Sequence, residues 1–228
     1  MKNIFITATD TGVGKTIVSL LIMNYLYKNY NRPVYLKIFQ TGCSSIFDAD
    51  SDAYFVYKNI LPEVKKEFLK DKICYLFKNP KAPYFAARDE NCEIDISYVF
   101  NWIEEKISIY HPVVLEGAGG LFVPITKNFL MIDLIEELDV HVILVARPYL
   151  GTINHTLLSL EALYSRDIPV KCVVFSNQSR EDVPLDMVQE NIEAVEFFGK
   201  VPTFFVDYIG NPTGDKENYL NLIEKLLS

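Results

Sequence analysis

The feature that most constrains the fold lies near the amino terminus, where a mostly apolar segment (residues 4–8) leads through a short loop to Gly14-Lys15-Thr16. This order predicts a buried strand, a tight loop and a helix that begins at Lys15. Such a loop points backbone N–H groups at phosphate oxygens, and the helix amino terminus adds positive partial charge. Lys15 can then reach the β- and γ-phosphates, and the Thr16 hydroxyl can bind Mg²⁺. A nucleoside triphosphate is therefore the leading ligand.

The loop departs from the usual phosphate-loop pattern, G-x-x-x-x-G-K-[ST], which requires glycine at position 9. The chain has Thr9 there, with Ala8 before it. The context still fits, because a strand precedes the loop, a helix follows it, and Gly12 and Gly14 lie within it. The alternative is an ordinary glycine-containing turn before a helix, and the strand–loop–helix order favours the phosphate loop.

Composition limits the class of protein. With 228 residues, half of them hydrophobic, the chain suits one α/β domain over residues 1–228. The net charge of −8 argues against nucleic acid or an anionic membrane as the main partner. The four cysteines show no Cys-x-x-Cys spacing and there are three histidines, so the sequence has no zinc pattern. The amino terminus enters a strand directly, without a secretory signal, and we expect a cytoplasmic protein.

Short apolar runs alternate with helical patterns along the chain. The predicted strands are residues 3–8, 33–39, 113–115, 142–146 and 170–175, and the predicted helices are residues 15–30, 96–110, 152–164 and 215–227. This alternation indicates a doubly wound, mostly parallel sheet with helices on both faces. Residues 41–95 are the least regular and are interpreted as an inserted flap or a substrate-facing excursion. In such folds the ligands lie beyond the carboxyl ends of the strands.

Lys37 stands at the end of the second predicted strand and is followed by Thr41-Gly42. A lysine that faces the phosphate loop would supply a second cation for developing negative charge. A surface lysine at the end of a strand is an equally good interpretation of this residue alone.

Two acidic segments are candidate metal sites. Asp48, Asp50 and Asp52 form either a solvated loop that caps a helix, with Ser51 or Asp50 as the N-cap, or a segment that gives one carboxylate to Mg²⁺. Glu116 follows an apolar strand and begins a run of small residues to position 120. Its carboxylate can hold Mg²⁺ while the glycines let the backbone approach a ligand; the alternative is a glycine-rich turn next to a surface glutamate.

Polar residues also follow the last two predicted strands. Gly151 or Thr152 can cap the next helix, and His155 alone is an ordinary polar residue. Asn177 has the donor and acceptor needed to read a purine edge, although asparagine is also common in turns.

Taken together, these segments resemble dethiobiotin synthetases over nearly the whole chain. The segments that carry the resemblance are residues 9–16, Lys37 with Thr41-Gly42, residues 51–53, Ala82-Pro83, residues 116–120, residues 150–155 and Asn177. The most specific are residues 116–120 and 150–155. The resemblance implies a homodimeric P-loop enzyme that makes the ureido ring of dethiobiotin from 7,8-diaminopelargonate, CO₂ and ATP with Mg²⁺.

The resemblance also implies roles for individual residues. The implied nucleotide contacts are Gly12, Val13, Gly14, Lys15, Thr16, Ile17, Asp52, Glu116, Gly117, Ala118, Gly119, Asn177, Pro202, Thr203 and Phe204. The implied metal ligands are Thr16, Asp52 and Glu116, and the implied catalytic residues are Lys37, Lys15 and Thr11. The implied substrate contacts are Thr41 and, across the dimer interface, Gly151, Ile153 and Asn154.

The chain departs from the family pattern at four positions. Ala8 stands where the family often has Gly, and Gly12 stands where some members carry Glu. Ile38 stands where Pro is common, and Tyr84 stands where His is common. None of the departures removes a cation or a metal ligand. They bear on substrate affinity and nucleotide preference rather than on the type of reaction.

Three other functions fit parts of the sequence. A ParA/MinD-like regulatory ATPase shares the loop style, but such proteins carry Lys near position 10, where this chain has Asp10, and they use a basic or membrane-binding surface. The synthetase half of a cobyrinate-type amidotransferase would need a glutaminase domain with a nucleophilic cysteine. A non-catalytic nucleotide-binding module would not need two lysines and two metal-competent acids.

Overall fold

The computed structural model describes residues 1–180 and 183–228. Its strands are β1 (Asn3–Ala8), β2 (Val34–Thr41), β3 (Ile73–Phe77), β4 (Val113–Glu116), β5 (Pro124–Thr126), β6 (Phe129–Leu130), β7 (Val140–Ala146), β8 (Val170–Ser176) and β9 (Thr203–Val206). Its helices are α1 (Lys15–Asn29), α2 (Asp52–Lys58), α3 (Lys66–Lys70), α4 (Pro83–Asp89), α5 (Ile96–Ile109), α6 (Met131–Glu136), α7 (Thr152–Tyr164), α8 (Leu185–Gly199), α9 (Pro212–Asp215) and α10 (Leu220–Leu227), with a 3₁₀ turn at Lys216–Tyr219.

Seven strands form one parallel sheet in the order β3-β2-β4-β1-β7-β8-β9. β1 is central, and the chain first builds the half on the β4 side and then the half on the β7 side. This is the predicted doubly wound sheet, and the crevice next to β1 is where such sheets bind ligands. The small β5–β6 hairpin lies outside the sheet.

The apolar side chains pack on both faces of the sheet, which is why the strands read as nearly continuous hydrophobic runs. One face packs against α1, α2 and α10, and the other packs mainly against α5, α6 and α7. α1 is buried around most of its circumference because it lies between the sheet and two further helices. It therefore holds the phosphate loop rigidly at the end of β1.

Three sequence expectations need correction. Residues 41–95 are not an excursion from the fold, because β3 pairs with β2 from Lys37 to Thr41 and completes the sheet. This pairing also extends β2, so Lys37 lies inside the strand and not at its end. The predicted helix over 215–227 is broken, and α10 begins only at Leu220. None of the helices in the described ranges is long and apolar enough to cross a membrane.

Candidate nucleotide and metal site

The loop between β1 and α1 has the backbone geometry of a phosphate loop. Gly12 and Gly14 have positive φ angles of 70° and 102°, which L side chains rarely adopt. A Cβ on Gly14 would lie 2.3 Å from Gln178 Nε2 and 2.5 Å from Ser176 Oγ. Glycine is therefore required at the point where the loop enters α1.

The first two residues of α1 point their polar atoms into the crevice. Lys15 is buried, and its burial together with the nearby charge of Lys37 lowers the pKa of its ammonium group to about 8. The Thr16 hydroxyl lies 2.8 Å from Asp52 Oδ1 and 3.1 Å from Glu116 Oε1. The helix amino terminus, one cation and three oxygen-bearing side chains thus meet at one place.

Lys37 reaches this place from β2. The parallel register pairs Lys37 with Glu116, the last residue of β4, so both side chains lie on the α1 face of the sheet. Lys37 Nζ lies 2.6 Å from Asp52 Oδ2, 2.7 Å from Glu116 Oε1 and 3.1 Å from the carbonyl oxygen of Gly117. Because Lys37 is only 3% exposed, the surface-lysine interpretation is wrong. Burial alone would lower the pKa of Lys37, but the two carboxylates hold it above its ordinary value.

Asp52 is the first residue of α2. Ser51 caps this helix through its side chain, as one of the sequence interpretations predicted. The Asp52 N–H donates to Gln40 Oε1 at 2.9 Å, which ties the start of α2 to β2. Although burial would raise the pKa of the Asp52 carboxyl, Lys37 and the Thr16 hydroxyl hold it below its ordinary value. Asp52 is therefore ionised at neutral pH.

Glu116 is fully buried and accepts hydrogen bonds on both carboxylate oxygens. Lys37 donates to Oε1 at 2.7 Å and the Thr16 hydroxyl lies 3.1 Å from the same oxygen, while the hydroxyls of Ser19 and Tyr35 donate to Oε2 at 2.6 and 3.0 Å. Burial and the neighbouring Glu116 raise the pKa of Tyr35 well above its ordinary value, so its hydroxyl remains a donor.

The small residues after Glu116 are needed for packing. A Cβ on Gly117 would lie 3.1 Å from both Phe5 and Met131, and one on Gly120 would lie 3.0 Å from the carbonyl oxygen of Ala8. Gly119 has a φ of 66°. This segment therefore folds back over the end of β1 and lines the crevice beside the phosphate loop.

These groups surround a cavity of about 510 Å³. Its lining residues are Thr11, Gly12, Gly14, Lys15, Thr16, Ile17, Lys37, Phe39, Gln40, Thr41, Asp50, Asp52, Glu116, Ala118, Gly119 and Gln178. A larger cavity of about 910 Å³ lies between α4 and the β5–β6 hairpin, but it contains no residue of the phosphate loop. The convergence of charged groups, and not cavity size, marks the smaller cavity as the candidate site.

The oxygen donors in this cavity fit a small divalent cation. The described residues hold no cluster of three or more His, Cys, Asp or Glu side chains suited to a metal. The set of one hydroxyl and two carboxylates would leave coordination positions for phosphate oxygens and water, as Mg²⁺ sites in phosphate-transferring proteins usually do.

A second polar group lies at the carboxyl ends of β8 and β9. The Asn177 side chain accepts from the Tyr149 hydroxyl at 2.6 Å and from the Ser179 N–H at 2.9 Å, and it donates to Asp207 Oδ1 at 3.0 Å. Pro202, Thr203 and Phe204 do not line the cavity, because Thr203 begins β9 and Phe204 packs into the core. The Asn177 side chain instead contacts Asp207, which directly follows β9.

Gly151, Ile153 and Asn154 also lie outside the cavity lining. Gly151 caps α7 with a φ of 92°, as one sequence interpretation predicted, and the preceding Leu150 is 93% exposed. Within a single chain, this segment makes no part of the described cavity.

Several polar residues at the site were not identified from the sequence. Ser19 lies three residues after Thr16 on α1, and Tyr35 lies two residues before Lys37 on β2. Helical and strand periodicity could have placed both on the faces that carry Thr16 and Lys37. Tyr149 and Asp207 have no such local signal, because they meet Asn177 only through the order of the strands.

Comparison with known proteins agrees with this geometry. A family model described as an AAA domain matches residues 2–205. The ATP-dependent dethiobiotin synthetase BioD of Lysinibacillus sphaericus (strain C3-41) is 37% identical over 210 residues, which are 89% of this chain and 85% of that protein. BioD of Lawsonia intracellularis (strain PHE/MN1-00) is 40% identical over 86% of this chain and 82% of its own length. The bifunctional BioCD protein of Bordetella avium (strain 197N) is 40% identical, but the chain spans only 38% of it.

The similar solved structures support the fold alone. The MinD cell division protein of Aquifex aeolicus has a TM-score of 0.59 at 15% identity, with 100% of this chain and 97% of that chain covered. A ParA family ATPase of Chlorobium tepidum TLS has a TM-score of 0.55 at 13% identity, with 100% and 92% covered. Because the dethiobiotin synthetases are far more similar in sequence and match most of both chains, the chain belongs to the ATP-dependent dethiobiotin synthetase family.

Proposed function

We propose that this protein converts 7,8-diaminopelargonate, CO₂ and ATP into dethiobiotin, ADP and phosphate, with Mg²⁺. The observation that carries the proposal is the convergence of Lys15, Lys37, Thr16, Asp52 and Glu116 on the cavity at the end of β1. Two lysines, two carboxylates and a phosphate loop are the groups that phosphoryl transfer requires. We further propose a cytoplasmic location, because the co-substrate ATP is supplied there.

Thr16, Asp52 and Glu116 would hold the Mg²⁺. When bound, the ion would neutralise charge on the phosphate oxygens that the reaction rearranges. Lys15 would bind the β- and γ-phosphates, and Lys37 would supply a second cation to the transferred group. Phosphoryl transfer depends mainly on positioning and on neutralising charge, which explains why no nucleophilic triad is needed.

The reaction would proceed in three steps. One amine of the substrate adds to CO₂ and loses a proton, giving a carbamate. A carbamate oxygen attacks the γ-phosphorus, and the bond from that phosphorus to the bridging oxygen breaks. ADP is released, and a mixed carbamic–phosphoric anhydride is formed. The second amine then attacks the anhydride carbonyl, loses a proton and expels phosphate, which closes the ureido ring. Lys37, between the two metal-competent acids, would stabilise the negative charge at the transferred group.

The diamine would lie against Thr11 and Thr41, which line the cavity beside the phosphate loop. Gly151, Ile153 and Asn154 would contact the substrate chain from a second copy of the protein. Their position outside the cavity of their own chain supports this arrangement, as does the almost complete exposure of Leu150. The active protein would therefore be a homodimer with the site at the interface.

The base of ATP would lie toward Asn177, whose amide offers both a donor and an acceptor. Gly117, Ala118 and Gly119 would border the nucleotide on the other side. For Pro202–Phe204 we propose a structural role in β9, with Asp207, which contacts Asn177, as the part of that segment nearest to the base.

The decisive experiment supplies ATP, Mg²⁺, bicarbonate and 7,8-diaminopelargonate, and measures ADP and the cyclic urea in the same sample by mass spectrometry. We expect the two products in equal amounts, and neither one when the diamine is omitted. ADP formed at the same slow rate with and without the diamine would instead indicate a regulatory ATPase and would overturn the proposal.

A further inference from the structure

The carboxylate of Glu116 is held differently at its two oxygens. Oε1 faces the cavity and receives Lys37 Nζ and the Thr16 hydroxyl. Oε2 faces away from the phosphate loop and receives the hydroxyls of Ser19 and Tyr35 at 2.6 and 3.0 Å. Glu116, Ser19 and Tyr35 are all fully buried, so water does not compete for these hydrogen bonds.

Both hydroxyls come from rigid parts of the fold. Ser19 lies one turn after Thr16 inside α1, on the same face of that helix. Tyr35 lies within β2, where it is paired with Val114 of β4 in the parallel sheet. The Tyr57 hydroxyl of α2 also accepts from the Tyr35 N–H at 2.9 Å and donates to its carbonyl oxygen at 2.7 Å. A rotation of the Glu116 carboxylate would break two buried hydrogen bonds at once, which is costly because the freed groups would remain unpaired.

We propose that Ser19 and Tyr35 are positioning residues that restrict Glu116 to one metal-facing oxygen, and that this restriction makes the site prefer Mg²⁺ over Ca²⁺. Mg²⁺ requires a near-ideal octahedron and is usually bound by single oxygens of carboxylates. Ca²⁺ takes six to eight oxygens at longer distances and often uses both oxygens of a carboxylate. With Oε2 engaged by two hydroxyls, Glu116 cannot offer the second oxygen. The inference rests on the proposed Mg²⁺ site.

A purely structural role for the two hydroxyls makes a different prediction. If they only neutralise a buried carboxylate, their loss would lower the stability of the fold and weaken both metal complexes by the same factor. If they restrict its rotation, their loss would change the relative affinity for the two metals. The ratio of the two affinities therefore separates the alternatives.

The experiment measures dissociation constants for preformed complexes of Mg²⁺ and of Ca²⁺ with adenylyl imidodiphosphate, a non-hydrolysable ATP analogue, by isothermal titration calorimetry. We expect the wild type to prefer the Mg²⁺ complex, and Ser19→Ala and Tyr35→Phe each to reduce that preference by about tenfold, in the range typical of residues that orient metal ligands. Binding of the analogue without metal should change by less than about twofold, because neither hydroxyl lines the phosphate cavity.

Tyr57→Phe is the matched control. It also removes a buried tyrosine hydroxyl that contacts Tyr35, but it leaves both hydrogen bonds to Glu116 Oε2 in place. We expect a lower melting temperature and an unchanged metal preference. An equal loss of preference in Tyr57→Phe, or an unchanged preference in both Ser19→Ala and Tyr35→Phe, would overturn the inference.

Two further outcomes are informative. If Tyr35→Phe does not fold, Ser19→Ala decides alone, because alanine is well tolerated inside a helix. If the wild type itself binds the analogue equally well with and without Mg²⁺, the proposed metal site fails and the inference fails with it. A wild type that prefers Mg²⁺ beside variants that keep the same preference refutes only the role of Ser19 and Tyr35.

Discussion

Two clusters among the described residues bury lysine side chains next to carboxylates, and they differ in the surroundings of their charges. In the nucleotide site, Lys37 contacts Asp52 and Glu116. In the edge cluster, made of Asp71, Lys72, Glu105 and Lys106 beside β3, the two lysines contact Asp71, and Lys106 also contacts Glu105. Lys37, Lys72 and Lys106 are all 3% exposed or less. Burial of a lysine is thus not by itself a sign of a catalytic site.

The clusters differ in what surrounds the charges. In the edge cluster the carboxylates of Asp71 and Glu105 are 44% and 59% exposed. Aromatic rings cover the lysines: Lys72 Nζ lies 4.4 Å from the ring centre of Tyr110, and Lys106 Nζ lies 5.8 Å from that of Trp102. The aliphatic parts of these lysine side chains are buried, and their ammonium groups make cation–π contacts with the aromatic rings. In the nucleotide site the carboxylate of Glu116 is itself fully buried beside a phosphate loop. A buried carboxylate is costly unless a cation is paired with it, and here that cation is Lys37.

The largest expected effect is on turnover. Lys37→Ala should lower kcat by about 10³-fold, because it removes a buried cation from the transferred group. ATP affinity should fall by no more than about threefold, since Lys15 and the loop N–H groups remain. The measurement is steady-state kinetics for the diamine reaction together with calorimetric ATP binding.

Lys106→Ala is the matched control from the edge cluster. It removes an equally buried lysine, and turnover should stay within about twofold of wild type because the cluster does not line the phosphate cavity. Equal losses of turnover and ATP binding in Lys37→Ala would count against a transition-state role for Lys37, and a comparable loss of kcat in Lys106→Ala would abolish the contrast between the clusters.

The next effect concerns the metal. Glu116→Gln keeps the shape of the side chain but removes its charge, and we expect the Mg²⁺ concentration for half-maximal activity to rise by about tenfold or more. Asp71→Asn makes the same chemical change in the edge cluster and should leave the Mg²⁺ titration unchanged. An unchanged titration in Glu116→Gln would remove Glu116 from the proposed metal shell.

A smaller effect should appear in stability. Lys106→Met keeps the apolar chain over Trp102 but loses the ammonium group, and we expect a loss of about 1 to 2 kcal/mol in the free energy of unfolding. Urea denaturation measures this loss directly. A destabilisation below about 0.3 kcal/mol would show that the edge cluster contributes packing alone and no useful electrostatics.

The smallest effect is the pH dependence of the edge cluster. Burial alone would raise the pKa of Asp71, but Lys106 and Lys72 hold it below its ordinary value. A carboxyl whose pKa is lower in the folded state stabilises the fold above the unfolded pKa, and this contribution disappears as the pH falls through the folded pKa. At pH 7 the free energy of unfolding of the wild type should exceed that of Asp71→Asn by less than about 1 kcal/mol, because the carboxylate of Asp71 is nearly half exposed. The difference should shrink below about pH 4, and a constant difference from pH 7 to pH 2 would contradict the lowered pKa.

The sequence predicted the parts of the site that depend on neighbouring residues. Lys15 and Thr16 follow from the loop that precedes them, and Glu116 follows from its place at the end of an apolar strand. For Asp52 and Lys37 the residues alone left two interpretations open, a metal ligand or a helix cap and a second cation or a surface lysine, and only the resemblance to a family favoured the functional interpretation of each. The nucleotide contact expected for Pro202–Phe204 stays a prediction. Because β9 was not predicted, the sequence could not show that Thr203 and Phe204 lie at the start of that strand and outside the lining of the phosphate cavity.

The sequence by itself determined the strand–loop–helix unit, the alternation of strands and helices, and the family. These depend on short-range physics: glycine's access to positive φ, the period of apolar residues and the burial of parallel strands. Only the tertiary structure decided which charges meet. Lys37 and Glu116 are 79 residues apart and Thr16 and Glu116 are 100 apart, and the register of three parallel strands brings them within hydrogen-bonding distance. Strand order and register are properties of the whole sheet, which is why the contacts of Ser19 and Tyr35 with Glu116, and the edge cluster, became recognisable only in the folded chain.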